Sequence, residues 1–227
     1  MSFKNFIKEL NGSRVEGGLV KSIFYSLISS FGLILLLYFF RLKYVDGFLL
    51  KYGFFLFFAI LSYGVILPSI KHVRAYRQFS CMSGMMIGMT TGMIAGFLPG
   101  YFIGATNGMF YGIIFGMTIG IFLGIWNGKC CGIMGIMEGL MAGFMGGLMG
   151  AMTSVMLLND HLKIASVIIF LISTGIIFSL NYMIYFEMKE SEIQNKEDNA
   201  IIIFLSIILT AITVWLMVFG PRSFLFS

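Results

Sequence analysis

From Gln78 to Gly128 the chain runs for 51 residues without a single Asp, Glu, Lys or Arg. A helix needs about 20 apolar residues to cross a bilayer, so this stretch holds two crossings and a short turn. The rest of the chain agrees. Of 227 residues, 59% are apolar and only 11% are charged, against roughly 25% charged in a soluble domain. One small core cannot hide that much apolar surface. A water-soluble fold and a disordered chain are excluded, and three cysteines are too few for a secreted disulfide scaffold.

The expected fold class is an all-α integral membrane protein of about seven transmembrane helices with a Gly/Met-rich three-helix core. Within lipid the backbone polar groups must be satisfied inside each segment, and continuous apolar runs this long do not fit the alternating strands of a β-barrel. The spans are expected at Leu19–Phe40, Phe48–Ile70, Ser80–Gly104, Met109–Trp126, Gly132–Leu158, Ile164–Phe186 and Ala200–Phe219. Four regions follow. Residues 1–18 form an amphipathic N-terminal segment, residues 19–79 carry spans one and two with a basic loop, residues 80–158 carry the Gly-x-x-x-Gly/Met-rich spans three to five, and residues 159–227 carry spans six and seven with an acidic loop at 187–199. The N-terminus lacks a signal peptide's short apolar core and cleavage site, so it is expected to be retained.

Lys and Arg place ten residues on the N-terminal side of the spans and five on the other. The side richer in Lys and Arg is the cytoplasmic one. The expectation is an integral protein of the cytoplasmic membrane, with its N-terminus in the cytoplasm and the bilayer as its first partner. The basic residues lie between apolar runs, which argues against nucleic acid.

Glycine then recurs at every fourth position from Gly84 to Gly132, and after a step of three at Gly135, Gly139, Gly143 and Gly147. Overlapping G-x-x-x-G lets helix backbones approach closely. Gly84, Gly88, Gly92, Gly96, Gly112, Gly116, Gly120, Gly139, Gly143 and Gly147 are the expected packing positions. One straight helix over 84–132 would be roughly 73 Å long at 1.5 Å per residue, so the repeat passes through turns near Ala105–Gly108 and Asn127–Lys129. Packing alone gives no reason to keep phase through a turn, so expansion of a tetrapeptide repeat is the expected origin. Two roles are weighed: helix packing, or closure of three helices around a narrow conduit or a partner helix.

Fourteen of the 18 methionines lie between positions 82 and 156. Span five carries them on one helical face, roughly 200° from its glycines. The thioether is a soft ligand suited to Cu(I), and weak sites in series suit an ion that must leave as well as enter. The candidate metal residues are Met85, Met89 and Met93 on span three, Met137, Met141, Met145 and Met149 on span five, Glu138 beside them, and Cys81, Cys130 and Cys131 at the N-terminal-side mouth. His72 is a possible addition from the second loop. Glu138 is the one ionisable residue placed well inside a span, and such a carboxylate marks function by default; Lys129 is a candidate partner. The alternative for every methionine is gap-filling beside a glycine seam. No nucleotide-binding, zinc-hydrolase or serine-hydrolase motif is present, so no enzymatic activity is expected.

Met85–Met89–Met93 with Gly116–Gly120–Gly124 resembles the small three-span trimeric copper transporters. The likeness covers under a quarter of the chain. It departs in having seven spans and no Met-rich tail, and no functional residue is carried across. Tandem G-x-x-x-G is also similar to that of mitochondrial inner-membrane translocase subunits. The function expected is transport or handling of a soft cation such as Cu(I). The alternative is a non-enzymatic scaffold or accessory subunit, including a permease subunit beside a separate ATPase, assembling through glycine seams as a homo-oligomer or with other membrane subunits.

Overall fold

A computed structural model describes residues 15–40, 52–76, 79–129, 132–188 and 199–221. They form α1 (Val15–Phe40), α2 (Gly53–Arg74), α3 (Cys81–Asn107), α4 (Met109–Gly128), α5 (Gly132–Met156), α6 (Leu162–Met188) and α7 (Asn199–Phe219). All seven are long and apolar enough to cross a membrane. The fold is that of an all-α, seven-span membrane protein. Residues 1–14 of the expected N-terminal amphipathic segment and most of the acidic loop lie outside the described residues, and residues 15–18 belong to α1.

The helices divide into two packed groups joined through α2 and α3. Those two are the most enclosed, with 67% and 72% of their spans buried, against 17% for α1. The aromatic and aliphatic core between the groups contains Tyr63, Tyr101, Phe102, Ile60, Leu67 and Leu98, all 2% exposed or less. Tyr101 stacks on Phe97 at 6.3 Å between ring centroids and donates to the Leu162 carbonyl at 3.3 Å. That bond satisfies its hydroxyl and ties α3 to the start of α6.

Small hydroxyl residues draw α1 and α7 together. Ser22, Ser26 and Ser30 recur at one-turn spacing and are at most 2% exposed. Ser29 and Ser206 share a hydrogen bond at 3.1 Å between α1 and α7. The Lys71 ammonium at the end of α2 donates to Ser22 at 3.2 Å.

Polar contacts also show which helix ends share a side. His72 Nδ1 lies 3.2 Å from Asn181 Oδ1, and Ser83 donates to Glu187 at 2.5 Å. The Arg74 guanidinium sits 5.2 Å over the Trp126 ring. These join the ends of α2, α4 and α6 with the start of α3. At the opposite end Asn107 Nδ2 donates to the Leu216 carbonyl at 2.7 Å. Helices consecutive in the chain therefore run antiparallel.

The second group, α3, α4 and α5, is packed on glycine. A Cβ built on Gly120 would lie 2.7 Å from Gly96 Cα and 2.8 Å from the Gly143 carbonyl oxygen. Real side chains do not approach backbone so closely. Glycines of α3 and α4 meet in pairs equidistant from Gly108: 104 with 112, 100 with 116, 96 with 120, 92 with 124 and 88 with 128. Against these, α5 places Gly135, Gly139, Gly143, Gly147 and Ala151, running parallel to α3. The result is a stack of five three-residue layers, all glycine but for Ala151.

This geometry corrects the expectation that packing has no reason to hold phase through a turn. The link between α3 and α4 is the single residue Gly108, itself a member of the repeat. A period of four reads identically in both directions from one of its own members, so the antiparallel return sets glycine against glycine. The step of three between Gly132 and Gly135 does the same for α4 and α5. Gly108 also has φ 108°, a conformation that disfavours residues with a Cβ. It serves the turn and the repeat together.

Candidate functional site

The glycine layers decide where the methionines go. With glycine on the inner face of α3 and α5, their methionines turn outward. Four of them, Met82, Met85, Met86 and Met89, line an open groove of about 490 Å³ together with Glu138 of α5. The positions fall on two consecutive turns of α3, so their thioethers share one side of the helix. Met82 is 77% exposed and Met85 is half-buried. The groove therefore runs from the open start of α3 along its outer face, where Met86 and Met89 are 52% and 51% exposed.

Glu138 reaches the groove because α5 lies parallel to α3. Glycines 88 and 92 of α3 contact glycines 135 and 139 of α5, which brings Glu138 level with the turn carrying Met89. It stands about 9 Å along α5 from Gly132, at 1.5 Å per residue, and is half-buried. Among the described residues it has no hydrogen-bond or ion-pair partner. Lys129, the candidate partner, is not paired with it; that side chain is exposed.

The sequence-predicted metal set is thus divided. Met85, Met89 and Glu138 come together, and the groove adds Met82 and Met86. Both belong to the methionine run at the start of span three, so their spacing was the signal. Met93 is 37% exposed and does not line the groove. Met137, Met141, Met145 and Met149 are 53–54% exposed on the outer face of α5. Cys130 and Cys131 lie outside the described residues, as does the Cys81 side chain. His72 belongs to α2, not to a loop. It is 2% exposed and engaged with Asn181, so it is no part of the groove.

No conduit runs through the centre of α3, α4 and α5. Their layers approach until a single methyl group would strike backbone, as at Gly96, where a Cβ would lie 2.7 Å from the Gly143 carbonyl oxygen. The packing positions Gly88, Gly92, Gly96, Gly112, Gly116, Gly120, Gly139, Gly143 and Gly147 all meet other helices of the same chain, and Gly84 is buried at the top of α3.

Chemically the groove offers four neutral sulfur donors and one carboxyl group. No group of three or more His, Cys, Asp or Glu residues able to hold a metal occurs among the described residues. The donor set suits a soft, weakly hydrated cation. Compared with known protein families, curated proteins and solved structures, the chain matches none.

Proposed function

We propose that this multi-pass membrane protein binds and carries a soft monovalent cation, Cu(I) in the cell, in the groove formed by α3 and α5. One observation supports the reading: Met82, Met85, Met86 and Met89 face the same space as Glu138. Thioethers supply polarizable donors without charge. The carboxylate supplies the countercharge that a cation needs at membrane depth, where an unpaired charge is expensive. The Lys and Arg asymmetry favours a cytoplasmic position for this end of the bundle, where the groove would take or deliver its ion.

The outward methionines of α5 do not form an enclosed route within one chain. The alternative, a scaffold that grips partner helices through its glycine seams, has less support, because the glycines of α3, α4 and α5 grip one another.

The test is titration of the purified protein with Ag(I), a redox-stable stand-in for Cu(I), in competition with a chromophoric chelator. The wild type should bind, the Met85→Leu/Met89→Leu variant should lose binding, and Met141→Leu/Met145→Leu should keep it. A wild-type protein that takes up no Ag(I), or loses it only through the α5 changes, overturns the reading.

A further inference from the structure

The outer face of α5 carries a reactivity that packing does not require. Met137, Met141, Met145, Met149 and Met152 are 38–54% exposed. The outward residues of the other peripheral helices are largely hydrocarbon, as at Leu35 and Leu36 on α1, Ile168 and Ile172 on α6 and Phe204 on α7, although Tyr25 on α1 and Trp215 on α7 are also outward. Acyl chains solvate Leu as well as Met, so contact with lipid does not ask for sulfur. What a thioether adds is a nucleophilic lone pair that oxidises to the sulfoxide.

We propose that the outward thioethers of α5 reduce hydroperoxides on the acyl chains of the surrounding lipid. The sulfur attacks the terminal peroxide oxygen. The O–O bond breaks, an S–O bond forms, and the hydroperoxide proton passes to the leaving alkoxide. Sulfur is oxidised by two electrons to the sulfoxide while the hydroperoxide is reduced to the alcohol, one oxygen per methionine. The reaction is a stoichiometric sink.

Two features fit the helix to this role. Met137 to Met152 extend over about 22 Å at 1.5 Å per residue, most of a hydrocarbon core of about 30 Å, so a thioether is presented at nearly every depth. Oxidation of a core methionine disrupts packing, but these sulfurs point away from the seam formed by Gly139, Gly143 and Gly147. A polar sulfoxide would appear on the lipid side and leave the glycine layers in contact. A bound cation plays no part.

The experiment uses the full chain in phosphatidylcholine vesicles containing phosphatidylcholine hydroperoxide, with a strong metal chelator present. Hydroperoxide and alcohol are followed by chromatography, sulfoxides are mapped by mass spectrometry, and helix content by circular dichroism. Met141, Met145 and Met149 should oxidise several-fold faster than Met217, which is 0% exposed. One alcohol should appear per sulfoxide, with helix content unchanged. The Met141→Leu/Met145→Leu/Met149→Leu variant should lose a corresponding share of hydroperoxide consumption. Oxidation no faster than at Met217, consumption unchanged in the triple variant, or loss of helix on oxidation overturns the proposal.

Discussion

A Cβ on Gly92 would lie 2.6 Å from the carbonyl oxygen of Gly139. The two helices meet backbone to backbone at that level, and neither position has room for one methyl group. Three further levels repeat the glycine contact and a fourth sets Gly104 against Ala151, so α3, α4 and α5 are held together largely by surfaces that have no side chains. In lipid there is no hydrophobic drive between helices, and close packing with Cα–H···O contacts supplies the association.

Glycine substitutions should therefore separate by location. Gly120→Ala, whose methyl would meet Gly96 and Gly143, should destabilise by about 1–3 kcal/mol, the range for overpacking. Gly32→Ala and Gly175→Ala have nothing within 4 Å and should be neutral or gain about 0.5–1 kcal/mol from helix propensity. Thermal unfolding in detergent compares them.

Methionines should separate the same way. Met149, 53% exposed, should accept Ala within about 0.5 kcal/mol. Met217, 0% exposed, should lose about 2–5 kcal/mol on the same change. Equal losses at the two sites would mean that the α5 face is covered by protein.

Asn107 closes the end of the bundle opposite the groove. Its Nδ2 donates to the Leu216 carbonyl and its Oδ1 accepts from Thr106 at 2.8 Å. Asn107→Ala removes both bonds, but Thr106 still donates to the Phe102 and Ile103 carbonyls and the Leu216 carbonyl still accepts from the Gly220 N–H, so it should destabilise by about 0.5–1.5 kcal/mol. Faster proteolysis after α7 should accompany the loss.

The Ser29–Ser206 bond joins α1 to α7 at membrane depth. Such bonds average about 0.6 kcal/mol in membrane double-mutant cycles and reach about 1.7. A cycle of Ser29→Ala and Ser206→Ala should return a coupling in that range. A zero coupling would show that small size, not hydrogen bonding, selects these residues.

Glu138→Gln tests the countercharge. With no partner among the described residues, Glu138 should be replaceable without loss of fold. Ag(I) affinity should fall about tenfold or more, since 1.4 kcal/mol is a factor of ten and an interaction with a charged group contributes about 1.5–3 kcal/mol. Unchanged affinity would remove the carboxylate from the site.

The span count was legible in the sequence, but the helix limits only in part: span two was expected at Phe48–Ile70 and is Gly53–Arg74, and span one begins at Val15 rather than Leu19, because a helix continues past the change from apolar to polar residues. Span four was expected at Met109–Trp126 and is Met109–Gly128. The opposition of glycine and methionine on span five was equally legible, since 3.6 residues per turn settles which positions share a face.

What the sequence could not supply was the partner of each face. Period four identifies a seam within one helix but says nothing of which helix fills it. Only the antiparallel return at Gly108, with α5 laid parallel to α3, sets the glycines against each other and closes the centre to any conduit. The same arrangement brings Glu138 beside Met82, Met85, Met86 and Met89, residues about fifty positions away in the chain. It also turns Met141 and Met145 outward, away from the candidate site to which spacing had assigned them. The sequence by itself determined how many times the chain crosses the membrane and which residues share a helix face. Tertiary structure decided which faces meet, because that depends on contacts between segments that no local pattern records.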